Sequence, residues 1–323
     1  MPQVEIRAKK ALRDAFGEAL AELGRQNADV VVLDADVAHS SRTILFGKEF
    51  PDRFFNVGIA EANMMCIAAG LATAGKIPFA TTFSFLATLR AGEQVRTSIA
   101  YPKLNVKICG AYAGLSDSYD GATHQDVMDI AVMRAMPNMM VVAPADAVET
   151  KKAVFAVARH DGPVYLRLSR AEVPIVTDED TPFVLGRANI ARDGKDVSII
   201  STGTMLSAAL DAAERLSTEG IGARVINMHT IKPLDEEMIE RAARETGAIV
   251  TVEEHNIYGG LGGAVAEALS KTYPVPMERV GINDTFAESG KYSDLLKKYG
   301  LTSDNVYQAV KNVMERKREH VAR

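Results

Sequence analysis

Short, β-rich apolar runs alternate along this chain with longer stretches in which apolar residues recur at helical spacing. Leu12, Ala15, Phe16, Ala19, Leu20 and Leu23 share one helical face within 9–26, and Val30-Val31-Val32-Leu33 follows as a compact signal for a buried strand. The pattern predicts further strands at 77–79, 106–109, 140–143 and 164–168, separated by helices near 60–74, 85–100, 125–135 and 146–159. From 175 to 186 the chain turns irregular and acidic (TDEDTP), which marks a linker. A second alternating block starts at Val197-Ser198-Ile199-Ile200 and runs through 205–216, 223–226, 236–244, 249–253 and a helix after Gly263. Strands alternating with helices favour parallel sheets covered on both faces, so the expected fold is α/β with two doubly wound domains.

A length of 323 residues suits two domains of ordinary size, and 24% charged residues with a net charge of -5 describe a soluble protein. No basic tract argues for nucleic acid; the late cluster at 315–319 (ERKRE) mixes signs and reads as a solvated helix end. The two cysteines, Cys66 and Cys109, both in apolar surroundings, provide neither a disulfide framework nor metal-ligand spacing, which makes a reducing cytoplasm the default location. The first residues carry no apolar signal core, and no uninterrupted run of about 18 apolar residues suggests a membrane span.

Two groups of residues carry candidate chemistry. In the stretch FFNVGIAEANMMCIAAGLA at 54–72, Glu61 is the one carboxylate, at the head of an otherwise apolar helix. It either complements the helix dipole or works as a proton carrier against a heterocyclic nitrogen. The run Asp120-Gly121-Ala122-Thr123-His124-Gln125 reads either as a turn entering a helix or as a site. Its carboxylate can accept from hydroxyl groups and its imidazole can both donate and accept.

Segments 54–72, 78–96, 105–129 and 139–170 resemble the pyrimidine-binding domain of transketolase, and 187–323 resembles the transketolase C-terminal domain. The similarity spans essentially the whole chain and is strongest to the C-terminal subunit of split, two-polypeptide transketolases. Deoxyxylulose-phosphate synthases and beta subunits of 2-oxoacid dehydrogenases share the same two-domain body. The resemblance implies domains at 1–176 and 187–323, thiamine diphosphate as cofactor, and transfer of a two-carbon ketol unit from a ketose to an aldose, both anionic sugars. It implies that Glu61 bonds the N1′ nitrogen of the aminopyrimidine and shares a proton with it, which activates the thiazolium carbon toward a ketose carbonyl. Glu61, Asp120 and His124 are the catalytic set it implies, with Asp120 and His124 touching sugar hydroxyls in the substrate channel. Phe83, Phe85 and Leu86 fall at the pocket around the pyrimidine ring, and Arg13, Ser40, Tyr112 and Arg170 at the hold on the sugar phosphate.

Several positions depart from that pattern. Tyr112 stands where the family has a histidine assisting the phosphate, Ser118-Tyr119 replace a Gly-Glu pair, and Leu86 and Gly92 replace aromatic residues. The Gly-Asp-Gly motif that holds the metal and diphosphate is absent; Arg-Asp-Gly at 192–194 and His-Asp-Gly at 160–162 are turns beside strands. No metal ligand is therefore assigned here. Magnesium and the cofactor diphosphate are expected on an N-terminal partner subunit, in an α2β2 heterotetramer with contacts between the two copies of this chain, and the chain alone is expected to be inactive. A non-catalytic assembly subunit with a degraded pocket is the contrasting reading. Glu253-Glu254-His255 and the glycines at 259–263 resemble a strand-to-helix turn with a structural and interface role; His255 either approaches a subunit interface or is a structural histidine.

Overall fold

Val30–Asp34 and Lys107–Ala111 are buried along their whole length, as interior strands of a sheet covered on both faces must be. In the computed structural model, which describes residues 7–321, they belong to a seven-stranded sheet. Its order is Thr230–Lys232, Met140–Val142, Val164–Arg167, Lys107–Ala111, Ile77–Phe83, Val30–Asp34 and Phe54–Asn56. Every neighbouring pair is parallel except Thr230–Lys232 against Met140–Val142. Helices Leu12–Gln26 and Ala147–Arg159 cover one face through Phe16, Leu20 and Val154; Glu61–Thr73 and Asp129–Ala135 cover the other through Met64, Ala68 and Ile130. The second sheet runs Met277–Ile282, Ile249–Asn256, Val197–Ser201, Ala223–Asn227 and Asn189–Arg192, with only the last strand antiparallel. Leu206–Ser217 and Ser303–Val321 pack on one of its faces, Glu236–Thr246 and Leu261–Lys271 on the other. The α/β expectation of two doubly wound sheets holds.

The differences from the expected elements have local causes. The strand expected at 77–79 extends to Phe83, and 85–100 forms wide helical turns, Leu86–Arg90 and Val95–Ala100, on either side of Gly92–Gln94. The helix expected over 125–135 begins only at Asp129, because the Asp126 carboxylate accepts from the Met128 N–H at 3.1 Å and holds the chain in a turn. The helix expected after Gly263 starts at Leu261: the buried Glu253 carboxylate accepts from the N–H groups of Leu261 (2.7 Å) and Gly262 (2.8 Å) and caps it. A side chain at Gly260 would overlap that carboxylate. Cys109 is buried as expected, but Cys66 is exposed. The helix Glu61–Thr73 is apolar nearly all round, yet this chain buries only the stripe of Glu61, Met64, Met65, Ala68 and Ala69.

The linker is tied down at its start. Asp146, which caps the helix Ala147–Arg159, also accepts from the N–H groups of Val176 and Thr177, both at 2.7 Å. One turn on, Glu149 accepts from the Ala145 N–H and from Asn227 Nδ2 of the second sheet, each at 2.7 Å. Burial, reinforced by Asp146, pushes the Glu149 carboxyl up to about 7. A carboxyl raised in the folded state contributes stability that is complete below the ordinary carboxylate range and is lost as pH rises through about 7. The thermal midpoint is therefore expected to fall less between about pH 5 and about pH 8 in Glu149→Gln than in the parent, as measured by calorimetry. Parallel profiles would contradict this.

Candidate active site

Glu61 is the first residue of its helix, and its side chain is 2% exposed. One oxygen, Oε2, lies 3.4 Å from Nη1 of Arg90, whose side chain is 57% exposed. The other, Oε1, is buried with no hydrogen-bond partner. A buried carboxylate oxygen left unpaired costs about 1–3 kcal/mol or more, so this position is built for a donor that the chain itself does not supply. The head of a helix favours negative charge there, and a planar ring nitrogen carrying or sharing a proton is the matching group. The residues present thus fit an aminopyrimidine.

Phe83 ends the strand Ile77–Phe83, and Phe85 lies just beyond it. Their ring centroids are 6.2 and 5.2 Å from that of His124. The loop carrying Asp120 and His124 is held from both sides. His124 Nδ1 pairs with Thr123 Oγ1 at 3.0 Å, and Gln125 Nε2 donates to the Glu288 carbonyl of the second domain at 3.0 Å. Leu86 is buried at the start of the wide turn that follows Phe85.

Arg13, Ser40, Tyr112 and Arg170, remote in sequence, meet at one place. Arg13 Nη1 donates to Tyr112 Oη (2.5 Å) and to the Ser40 carbonyl (3.2 Å), which also accepts from Tyr112 Oη at 3.2 Å. Ser40 enters this cluster through its carbonyl. Tyr112, held at φ +62°, stacks on Phe83 with ring centroids 4.9 Å apart. The guanidinium carbons of Arg13 and Arg170 lie 5.5 and 5.0 Å from its ring centroid. Arg170 Nη1 donates to Asp117 Oδ1 at 2.7 Å and lies 3.7 Å from Asp120 Oδ2.

Sequence reasoning missed Asp117, Arg90 and the buried network beneath the site. Arg167 forms a two-pronged pair with Asp129 (2.7 and 3.2 Å) and donates to the Glu254 carbonyl at 2.9 Å. Against the cost of burial, Arg167 holds the Asp129 carboxyl below its ordinary value. Tyr165 Oη donates to Asp129 and lies 2.8 Å from the hydroxyl oxygen of Ser84, the residue between the two phenylalanines. A side chain at Gly110 would collide with that tyrosine. Asp126 accepts from Ser84 and Thr88, each at 2.8 Å. The Glu254 carboxylate accepts from the Leu115 N–H, Thr204 Oγ1 and Tyr292 Oη; a side chain on Gly114, at φ +66°, would strike it. His255 is fully buried inside this chain, its Nε2 accepting from the Ala131 N–H at 3.3 Å, so it faces no subunit interface here. Of these groups the sequence singles out only Glu254 and His255, in the run Glu253-Glu254-His255. Among the described residues no set of three His, Cys, Asp or Glu side chains is arranged to hold a metal ion, and no helix is long and apolar enough to cross a membrane.

The family model of the transketolase pyrimidine-binding domain matches residues 8–176, and that of the transketolase C-terminal domain matches 186–306. A solved split-gene transketolase, described as an inactive beta4 tetramer, is 50% identical and covers 95% of this chain and 99% of its own, with a TM-score of 0.88. The 6-deoxy-6-sulfo-D-fructose transketolase subunit of Clostridium sp. is 44% identical over 95% of this chain and 95% of that protein. An apulose-4-phosphate transketolase subunit of Phocaeicola vulgatus is 42% identical over 92% of this chain and 95% of that protein.

Asp126 accepts from two hydroxyls and a backbone N–H, while the Thr88 hydroxyl keeps a second acceptor in the Ser84 carbonyl at 3.0 Å, so Asp126→Ala is expected to cost about 1–3 kcal/mol in urea unfolding, with Asp126→Asn costing less.

Proposed function

This chain belongs to the transketolase family as the C-terminal subunit of a split transketolase, and we propose that it moves a two-carbon ketol unit from a ketose to an aldose. The observation that carries this reading is the partnerless, buried Oε1 of Glu61 at a helix head. Thiamine diphosphate, when bound, supplies the carbon nucleophile and the electron sink that side chains lack. Glu61 shares a proton through Oε1 with N1′ of the aminopyrimidine, while Phe83, Phe85 and Leu86 form the wall beside the ring. Asp120 accepts from sugar hydroxyls. His124, braced by Thr123 and the two phenylalanine rings, donates to or accepts from the oxygen at the reacting carbon. Arg13 and Arg170 hold the anionic end of the sugar, with Tyr112 and Ser40 fixing Arg13. We assign the pyrimidine-binding unit to 1–176 and the C-terminal unit to 187–323.

Sulfonated and phosphorylated sugars in the names of the two relatives support an anionic substrate class. The solved relative, described as inactive when built from beta chains alone, supports dependence on an N-terminal subunit that brings the diphosphate and magnesium site. The assembly we propose is an α2β2 heterotetramer with contacts between the two copies of this chain. In the reconstituted complex, Glu61→Gln is expected to lower turnover by about 10²–10⁴-fold without dissociating the subunits. Unchanged turnover would make this chain an assembly subunit only, and release of carbon dioxide from a 2-oxoacid donor would overturn ketol transfer. Purified alone with thiamine diphosphate and magnesium, the chain is expected to transfer no ketol unit.

A further inference from the structure

At the anion clamp, Arg170 is already engaged. Its guanidinium bonds Asp117, whose side chain is 0% exposed, while Arg170 itself remains 36% exposed and so reachable by substrate. The second Asp117 oxygen, Oδ2, is buried without a hydrogen-bond partner. The charged groups facing Asp117 are Asp120 on its own loop and Arg170 from the segment after Val164–Arg167. The second domain reaches this loop through backbone, the Gly290 N–H donating to the Ser118 carbonyl at 2.9 Å. We propose that Asp117 is a specificity-determining residue: its carboxylate competes with the anionic end of the substrate for Arg170, and the site accepts an oxyanion when Asp117 carries a proton.

This inference rests on the clamp reading of Arg13 and Arg170. Two carboxylates cannot both keep full charge beside one guanidinium that is also to receive a sulfonate or phosphate, because every added negative charge favours protonation of the others. Burial first, then the neighbouring Asp120, push the Asp117 carboxyl up to about 7 against the pull of Arg170. Ionised Asp117 neutralises Arg170 and leaves the clamp to Arg13, which is itself bound to Tyr112 and Ser40. Protonated Asp117 frees Arg170 for a doubly charged ligand. Substrate choice at this end is thereby set by pH: sugars with an anionic end are favoured below neutrality, and sugars with an uncharged end lose least above it.

Sulfate is the probe, because it keeps its double charge across the range in which Asp117 titrates. Calorimetric titration of the full-length chain is expected to show Kd for sulfate rising about tenfold from about pH 6 to about pH 8, with about half a proton taken up per sulfate bound near pH 7. Asp117→Asn is expected to bind about tenfold more tightly than the parent at the higher pH and to lose that part of the slope; any contribution from His124 is common to both proteins. Arg170→Ala is expected to abolish binding. If Asp117→Asn and the parent share one pH profile while Arg170→Ala loses sulfate, the clamp stands and the role of Asp117 is overturned. If Arg170→Ala binds as the parent does, the clamp reading itself fails and takes this inference with it. Proton uptake in the parent, measured in two buffers of different protonation enthalpy, keeps the proposal open to refutation even if a variant does not fold: no uptake near pH 7 overturns it.

Discussion

The buried pair of Arg167 and Asp129 is the constraint on which the site depends. It sits between the two sheets, with Arg167 reaching the Glu254 carbonyl of the second and Tyr165 and Ser84 leading from Asp129 to the segment that carries Phe83 and Phe85. Removing either charge would strand the other in a place without water, at a cost of about 3–5 kcal/mol. The network therefore ties the first sheet to the second and reaches the segment that carries Phe83 and Phe85. Glu254 contributes from the other side, gripping the backbone at Leu115 two residues before Asp117.

On this frame the functional groups are arranged by what they lack. Glu61 Oε1 and Asp117 Oδ2 are both buried and both without partners within this chain; in the proposed function a ring nitrogen answers the first, and in the proposed role of Asp117 a proton answers the second. Arg13 Nε and Gln125 Oε1, beside the same loop and clamp, are likewise buried without a partner, so the unsatisfied polar atoms of this region gather around the candidate site. The exposed side of the helix Glu61–Thr73, with Asn63, Cys66 and Ile67 facing outward, has the same character: its sequence is apolar where this chain alone offers no cover.

Much of the fold was legible because its signals are local. Val30 to Leu33, the helical stripe from Leu12 to Leu23 and the apolar helix after Glu61 declare themselves in a few residues. Thr230–Lys232 did not, since it leaves the second half of the chain to close the edge of the first sheet, and nothing within three residues encodes that partner. Asn189–Arg192 and Phe54–Asn56 are short edge strands with exposed positions, which periodicity does not separate from loop. In the candidate site, Arg13, Ser40, Tyr112 and Arg170 were named through family resemblance, and the fold brings them within hydrogen-bonding or ring-contact distance. Asp117 escaped notice because its pairing with Arg170 spans 53 positions and its meaning lies in burial, which a carboxylate in a loop does not announce.

The central claim is that Glu61 completes a pocket whose other half belongs to a second polypeptide. A structure of the complex reconstituted with the N-terminal subunit, thiamine diphosphate and magnesium tests it most directly. Glu61 Oε1 is expected at about 2.5–3 Å from N1′ of the pyrimidine ring. A pyrimidine bound elsewhere, with Glu61 still facing only Arg90, would contradict it.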